Sequence, residues 1–570
     1  MAHETLVHAL TASARTREGF VFVDGREAET PLSFKTLEDR AARAATVLKD
    51  RGVKPGDCVA IILPTGPTFF DALLGCQRLG AVPVPLYPPV RLGRLDEYVD
   101  KTVAMLNAVR AVALISDKRV RRILGRVVEQ RPTPSISVEE LLTGTPYDGP
   151  LPSADDLAMV QFSSGTTVAP KPVALTHRQV IANVDAILSF VPTNDGVRRV
   201  GACWLPLYHD MGLVGCVFSA IVAAGTLILI PPEQFLAKPH LWLRAISRHN
   251  VTTSPAPNFA YALCTERITD EQMDGVDLST WALALNGAEP VAPASLRAFT
   301  QRFAQWGLSE NALTPVYGLA EAALAVTFSD PRAPFTTVHV HRDALASGHD
   351  IVPIPAGDIT VELASVGTPL PGFAIRVCNS AGDNVDDGTV GRVFASGPSL
   401  MQGYLHRDEQ PIQAGWLDTG DLGIVLGGDL FITGRAKDVV VLRGQNHAPH
   451  DIERAVDGIE GVRTGCAVAV GDVSEAGERL MVFVEARIPT DDLAAACHSA
   501  IRSRTGLEPS LVTILEPGTI PRTSSGKLRR GETLRRFHAG TLAPPASVSA
   551  WRMAGHLARS AVGWARSRRS

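Results

Sequence analysis

The 570-residue sequence has little excess charge and no organised cysteine. Lys and Arg number 55 against 59 Asp and Glu, a formal net charge of -4. That is too small, and of the wrong sign, for a chain built to coat nucleic acid, so no polyanion partner is expected. The eight Cys, at positions 58, 76, 203, 216, 264, 378, 466 and 497, include no C-x-x-C pair and no Cys/His cluster at metal-ligand spacing. A zinc site or disulfide framework is thereby excluded, and a reduced, cytoplasmic chain is expected. The opening MAHETLVHALTASARTREGF is polar throughout and lacks the apolar core of a signal peptide. There is no internal repeat and no low-complexity tract. One run, Cys216 to Pro232, is long and apolar, but Gly225 interrupts it; a helix followed by a buried strand is expected there instead of a membrane span.

What is present is the composition of a folded, enzyme-sized chain. Hydrophobic residues make up 45% and charged residues 20%, and at about 150 residues per domain the length predicts roughly three or four compact units. Strand-like runs alternate with helical ones: CVAIILP (58–64), FFDALLGCQRLG (69–80) and AVPVPLYPP (81–89), then ALTHRQVIANVDAILSF, TLILIPP, LWLRAISRHN and VTTSPAPNF. Strands separated by helices of that length predict an α/β body, a parallel sheet with helices on its faces. Beyond about residue 365 the segments become Gly-bounded and alternating, as in FAIRVCNSAGDNVDDGTVGRVFASG, which predicts antiparallel hairpins. A small βα unit follows to about residue 540, with CAVAVGD and LMVFVEARIP as its strands, and APPASVSA reads as a linker.

The final twenty residues, 551–570, carry five Arg and no acid, with Trp551, Leu557, Ala558, Val562 and Trp564 able to share part of a helical surface. A basic amphipathic helix of this kind lies on anionic membranes or docks on an acidic partner; a terminal helix packed on its own domain is the other reading.

The stretch QFSSGTTVAPKPVALTH (161–177) sets Ser163, Ser164, Gly165, Thr166 and Thr167 in succession and follows them with Lys171. Such a turn can aim backbone N–H groups at an anion. It lies between the run DLAMVQF and the amphipathic THRQVIANVDAILSF, hence between a strand and a helix, where phosphate loops sit. It is not a Walker A loop, because no Gly-Lys-Ser/Thr stands at the required spacing, and alone it reads more readily as an ordinary Ser/Thr-rich turn.

Four other segments carry candidate chemistry. LPLYHDMGLVG (205–215) sets His209 and Asp210 in a turn, and LALNGAEPV (283–291) ends a strand in a Gly287-Ala288-Glu289 turn. PVYGLAEAAL (315–324) spaces Tyr317 and Glu321 at i,i+4, from which a ring face and a carboxylate can reach one site. WLDTGDLG (416–423) offers Asp421 in a tight turn, able to accept two hydroxyl hydrogen bonds from a sugar. Each has a structural alternative: a satisfied histidine, a half-buried core tyrosine, a glutamate at a helix N-terminus, an Asx turn.

In their order along the chain, the loop at 163–167, NGAEP, YGLAEA, WLDTGD, GRAKD and PRTSSGK resemble the adenylate-forming superfamily of acyl-CoA synthetases, peptide-synthetase adenylation domains and luciferases. The resemblance runs through nearly the whole chain. Within it, PLYPP (85–89), HDMGL (209–213), NGAEPV and Ala320 before Glu321 are most similar to the fatty acyl-AMP ligases. The fold this resemblance implies is α/β: a large N-terminal domain (1–435) with two parallel-sheet α/β subdomains plus a β-barrel-like subdomain, then a small mobile α+β C-terminal domain (436–540) and a basic tail (541–570). The activity it implies is ATP-dependent adenylation of a fatty acid to acyl-AMP and pyrophosphate, followed by transfer to the phosphopantetheine thiol of a separate acyl carrier protein.

The resemblance also implies roles. The Ser163–Thr167 loop and Lys171 would hold the β- and γ-phosphates of ATP, and Glu321 the Mg²⁺, a hard cation suited to carboxylate oxygen. Gly287, Ala288, Tyr317 and Gly318 would surround adenine, with Glu289 in the same turn, while Asp421 and Arg435 would hold the ribose. His209 would border the acyl pocket. Lys527 of PRTSSGK would reach from the C-terminal domain to the attacking carboxylate and the α-phosphate, and Lys437 would be the hinge of that domain.

Two readings of the acceptor and one departure stay open. The segment 336–367 lies where fatty acyl-AMP ligases carry an insertion that CoA-ligating relatives lack, which together with PLYPP and HDMGL favours a carrier protein over CoA. Val168 and Pro172 stand where relatives have Gly; Val disfavours positive φ and Pro removes an N–H donor. The contrasting expectation for such a loop is an adenylate-binding scaffold without turnover.

Overall fold

The computed structural model describes residues 3–89, 92–163, 171–191, 199–345, 350–357, 360–442, 445–474, 477–488, 491–523, 526–545 and 550–567. Ser164, Gly165, Thr166, Thr167 and Val168 lie outside the described residues.

The N-terminal region builds two parallel sheets, as expected. The smaller has four strands in the order Val82–Pro85, Cys58–Ile62, Ala113–Ser116 and Ser135–Ser137, all parallel. Cys58–Ile62 is buried at all five positions, which is why its sequence is a continuous apolar run and not an alternation. Its crossover helices include α1 (Leu95–Ala108) and α2 (Lys118–Gln130); α2 starts where the Asp117 side chain accepts from Val120 N at 2.6 Å, satisfying one of the free N–H groups of its first turn.

Two strands, β1 (Leu157–Ser163) and β2 (Lys171–Thr176), pair antiparallel, with Ser163 opposite Lys171 and Phe162 opposite Pro172. Helix α3 (His177–Phe190) begins only after β2, with a capping box between Thr176 and Gln179. The Ser/Thr-rich loop therefore joins two strands of a hairpin, not a strand to a helix as the pattern predicts: PVALT pairs with LAMVQ before the helical period starts.

The larger sheet has nine strands, and six of them run parallel at its centre: β3 (Leu283–Asn286), β4 (Leu313–Gly318), Thr253–Ala256, Val200–Cys203, Thr226–Leu229 and Gly19–Val23. Antiparallel strands close both edges. The apolar run from Cys216 resolves as a helix and a strand: a π-helical stretch Leu213–Phe218, then Ser219–Val222 in α form, then Thr226–Leu229 within the sheet. No helix among the described residues is long and apolar enough to cross a membrane. An aromatic cluster fills the core beside this sheet, with Trp204 stacked on Phe235 at 3.8 Å and Trp242 edge-on to Trp281 at 5.1 Å.

A curled antiparallel sheet follows, in which β5 (Trp416–Leu426) and β6 (Asp429–Arg435) form the hairpin that ends this part of the chain. The segment 336–367 contributes its own antiparallel pair, Thr337–His341 with Thr360–Ala364, packed against Ile424 and Phe431 of that hairpin. The C-terminal unit has a separate core around Val462–Ser474 and Gly477–Ala486, with Leu511–Leu515 added in parallel and α4 (Arg530–His538) laid across it. This is the expected small α+β unit.

The basic tail forms helix α5 (Ala550–Ser567), and among the described residues it packs within the chain. It packs on α2: Ser560 Oγ accepts from Gly125 N at 2.8 Å, Trp564 Nε1 donates to Arg121 O at 2.9 Å, and Arg566 pairs with Glu129 at 2.6 Å. The two helices pass so closely that a Cβ on Gly563 would lie 2.3 Å from Gly125 O. Helix α2 of the N-terminal region, rather than the domain preceding the tail, is what the amphipathic face meets.

Candidate active site

The site gathers around the middle of β5, at Asp421. Asp421 is almost fully buried and stands opposite Arg435 in the β5–β6 register. Arg435 Nε lies 3.2 Å from its Oδ1, and the Tyr317 hydroxyl donates to its Oδ2 at 2.7 Å. Burial raises the Asp421 carboxyl above the ordinary aspartate range, against the pull of Arg435, Tyr317 and Lys527. Asp421 is thus a strand residue and not the turn residue the pattern predicts; the Asx contact belongs to Asp418, whose Oδ1 accepts from Gly420 N at 2.9 Å.

Tyr317 and Glu321 are also differently placed. Tyr317 sits in β4, whereas Glu321 belongs to a separate 3₁₀ turn, Ala320–Ala322, so no shared helix face joins them. A β-bulge between Tyr317 and Gly318 separates the two. Gly318 allows that bend, because a Cβ there would lie 1.8 Å from Leu324 O. Glu321 is gripped by a residue that sequence reasoning missed: the Tyr404 hydroxyl donates to Glu321 Oε1 at 3.0 Å, and Met401 N donates to Glu321 O at 2.8 Å. The Gly-Tyr pair in LMQGYLH is the signal that could have found it.

Lys171, at the start of β2, is engaged by the same tyrosine. Its ammonium stands 4.7 Å from the Tyr404 ring centroid and 2.7 Å from Glu409 Oε2. Ser163, directly opposite Lys171, closes the described part of the hairpin.

Gly287, Ala288 and Glu289 form the expected turn after β3. Ala288 adopts φ +71°, and a Cβ on Gly287 would meet Val316 Cγ2 at 2.9 Å, so the turn lies close against β4. Glu289 Oε1 accepts from Phe259 N at 2.6 Å; burial raises its pKa against that bond and Lys527. His209 Nδ1 lies 2.5 Å from Asp210 Oδ1. Burial of Asp210 works upward, but His209 and Lys527 outweigh it and hold the carboxyl below the ordinary range.

Lys527 comes from the C-terminal unit, in a turn where its N–H donates to Thr523 Oγ1 at 3.0 Å. Desolvation, then the charge of Arg435, lowers its pKa, while Asp210, Glu289 and Asp421 oppose that shift. The seam thus holds one ammonium among three carboxylates and a guanidinium supplied by distant parts of the chain. Lys437 lies between Arg435 of the site and Asp438, which is clamped to Arg530 at 3.1 Å; burial and Arg435 lower its pKa. Such an array can offset the repulsion between anionic reactants brought together out of water.

This fold, a large unit followed by a small one, is that of an adenylate-forming enzyme. Residues 10–405 match the profile described as AMP-binding enzyme, and the chain belongs to that family. It is similar, at 33% identity over 94% of this chain and 96% of the other, to a putative acyl-CoA synthetase of Caulobacter vibrioides. At 31% identity over 92% of this chain and 93% of the other, it is similar to the medium-chain-fatty-acid–[acyl-carrier-protein] ligase JamA of Moorena producens. A solved structure from work on fatty acyl-adenylate ligases of E. coli and L. pneumophila superposes with a TM-score of 0.89 at 34% identity, covering 94% of this chain and 98% of that one.

Proposed function

We propose that the chain is a fatty acyl-AMP ligase. A fatty acid carboxylate oxygen attacks the α-phosphorus of ATP, the bond to the β-phosphate oxygen breaks, and acyl-AMP and pyrophosphate result. The thiol of a phosphopantetheine arm on a separate carrier protein then loses its proton and attacks the acyl carbon, and AMP leaves. What supports this reading is the similarity along nearly the whole chain to fatty acyl-adenylate ligases, together with Lys527 of the C-terminal unit lying within electrostatic reach of Asp210, Glu289 and Asp421.

In this reading residues 1–435 form the adenylation domain and 436–540 a mobile domain that turns about Lys437. Asp421 and Arg435 hold the ribose, with Arg435 paired to the Asp421 carboxylate at 3.2 Å. Gly287, Ala288, Tyr317 and Gly318 take the adenine, with Glu289 in the same turn. Ser163 to Thr167 and Lys171 take the β- and γ-phosphates, and His209 borders the acyl chain. The Lys527 ammonium stabilises charge on the carboxylate and the α-phosphate oxygen as the new bond forms.

The chemistry of the donor set fits Mg²⁺. Glu321 offers a single carboxylate, oriented through one oxygen by the Tyr404 hydroxyl, and a cation that takes one carboxylate and otherwise phosphate oxygens and water is what Mg²⁺ is. Glu321 would hold it, and when bound it would neutralise phosphate charge. Eight unpaired thiols accord with a reducing, cytoplasmic setting.

Pyrophosphate exchange with a panel of fatty acids tests the reading: exchange with at least one acid is expected, and none with any acid would favour an adenylate-binding scaffold. Offering carrier protein and CoA side by side tests the acceptor. Acylation of the carrier is expected; acylation of CoA alone would make the chain an acyl-CoA synthetase.

A further inference from the structure

Lys527 can act only while the C-terminal unit is held against the N-terminal body, and the chain connection at 435–438 fixes one side of that unit alone. The other side is gripped by α1. Arg536 of α4 forks onto Glu97 of α1, with Nη1 3.1 Å from Oε1 and Nη2 2.9 Å from Oε2. Arg94, at the head of α1, donates to the carbonyls of Gly518 at 3.1 Å, Thr519 at 3.3 Å and Ala543 at 3.2 Å, and to Glu97 at 3.0 Å. A bidentate guanidinium–carboxylate pair specifies orientation as well as contact.

The grip is transmitted stiffly to Lys527. Leu534 and Phe537, which flank Arg536 on α4, pack on the same core as Ile520 and Leu528, the residues bracketing the Lys527 turn. Phe537 meets Phe483 edge-on at 5.1 Å, and Arg529 N is bonded to Pro521 O at 3.0 Å. A packed core moves as a body, so the position of Arg536 on Glu97 sets the position of Lys527 in the site.

We propose that Glu97 and Arg94 are positioning residues for the adenylation step, acting through Arg536 and the 518–519 carbonyls to keep Lys527 at the reacting groups. The inference rests on the assignment of Lys527 to adenylation. The latch holds the posture used in the first half-reaction and plays no part in thiol transfer, for which the C-terminal unit turns away.

The test uses the full chain with Glu97→Gln, Arg536→Gln and the double variant, measuring pyrophosphate exchange and, separately, single-turnover acyl transfer from preformed acyl-AMP to carrier protein. Each single substitution is expected to lower the exchange kcat about tenfold, the loss of a charge-assisted contact, with the KM for ATP within about twofold. The double variant should be no slower than the slower single, because both act through one contact, and transfer should not slow in any of them. Glu97→Gln alone keeps the test open if Arg536→Gln folds poorly, since the Glu97 side chain is about one-third exposed and the change is isosteric. Unchanged exchange in Glu97→Gln, losses that multiply in the double variant, or an equal fall in exchange and transfer would each overturn the proposal. Lys527→Ala separates this from the underlying reading: if it exchanges normally the role of Lys527 fails, whereas a dead Lys527→Ala beside a normal Glu97→Gln sinks the latch alone.

Discussion

The Tyr317 hydroxyl donates to Asp421 across 104 residues of sequence at 2.7 Å, and so ties the end of a parallel strand to the curled antiparallel sheet. The bond has a consequence for pH. Asp421 is already pushed up by burial, and Tyr317 is one of the groups that pull it down. Removing the hydroxyl leaves burial less opposed, so the carboxyl titrates higher still. On the proposed role of Asp421 as acceptor for the ribose hydroxyls, its ionised form is the better acceptor, so activity should be lost as pH falls through its folded pKa. In Tyr317→Phe the acid limb of kcat/KM for ATP should therefore move to higher pH, and at neutral pH the KM for ATP should rise roughly three- to tenfold, the net worth of one ordinary hydrogen bond. A pH profile of the two proteins decides it; an unmoved acid limb sinks the argument.

Lys527 gives the opposite limb. Desolvation and Arg435 lower its pKa, so the ammonium is lost below the ordinary lysine value of about 10.4 as pH rises. Exchange activity should fall on the alkaline side at correspondingly lower pH. Asp210→Asn removes a carboxylate that favours the ammonium and should shift that limb lower again. Lys527→Ala should cost about 10²-fold or more in exchange rate while ATP binding, followed by calorimetry, persists.

Tyr404 holds Glu321 by one carboxylate oxygen while Lys171 stands over its ring. If Glu321 carries Mg²⁺, Tyr404→Phe releases that oxygen but preserves the ring under Lys171. The Mg²⁺ concentration giving half-maximal exchange should rise about tenfold, the usual effect of removing a group that orients a metal ligand. Calorimetric titration of Mn²⁺ into the ATP complex should show a matching loss of affinity. Tyr404→Ala should in addition weaken ATP binding through Lys171, and an unaltered metal requirement in Tyr404→Phe would mean that the hydroxyl only packs Glu321.

Much of this was legible in the sequence because burial writes itself into composition. The strand Cys58–Ile62 and the helix-then-strand in Cys216–Pro232 follow from apolar runs and a Gly break. The Gly287-Ala288-Glu289 turn follows from its place after LALN. What failed was local geometry that a linear pattern underdetermines. The i,i+4 spacing of Tyr317 and Glu321 suits a helix, but β-sheet pairing with Ala325–Phe328 carries the chain through Gly318 in extended form before it turns. The tail's amphipathic face was readable and its partner was not, because the closeness of Gly125 and Gly563 is a long-range contact between two unremarkable glycines. Arg94, Glu97 and Arg536 were invisible for the same reason: a surface charge signals nothing until its counter-charge is found.

Pro172 is where the sequence raises most concern about the phosphate loop, and the structure changes what should be expected of it. It lies within β2, opposite Phe162, and its carbonyl accepts from Leu405 N at 2.9 Å. Its ring therefore belongs to a paired strand, one step in from the loop, and not to the turn, and the N–H it lacks is not one that the turn would aim at an anion. Proline here also restricts the unfolded chain more than glycine would. Pro172→Gly should then leave the KM for ATP within about twofold and lower the stability of the fold by roughly 1 kcal/mol, read as a fall in the denaturation midpoint without a change in slope. A marked drop in the KM for ATP would instead mean that an N–H at 172 does reach the phosphates, and that the proline weakens the site.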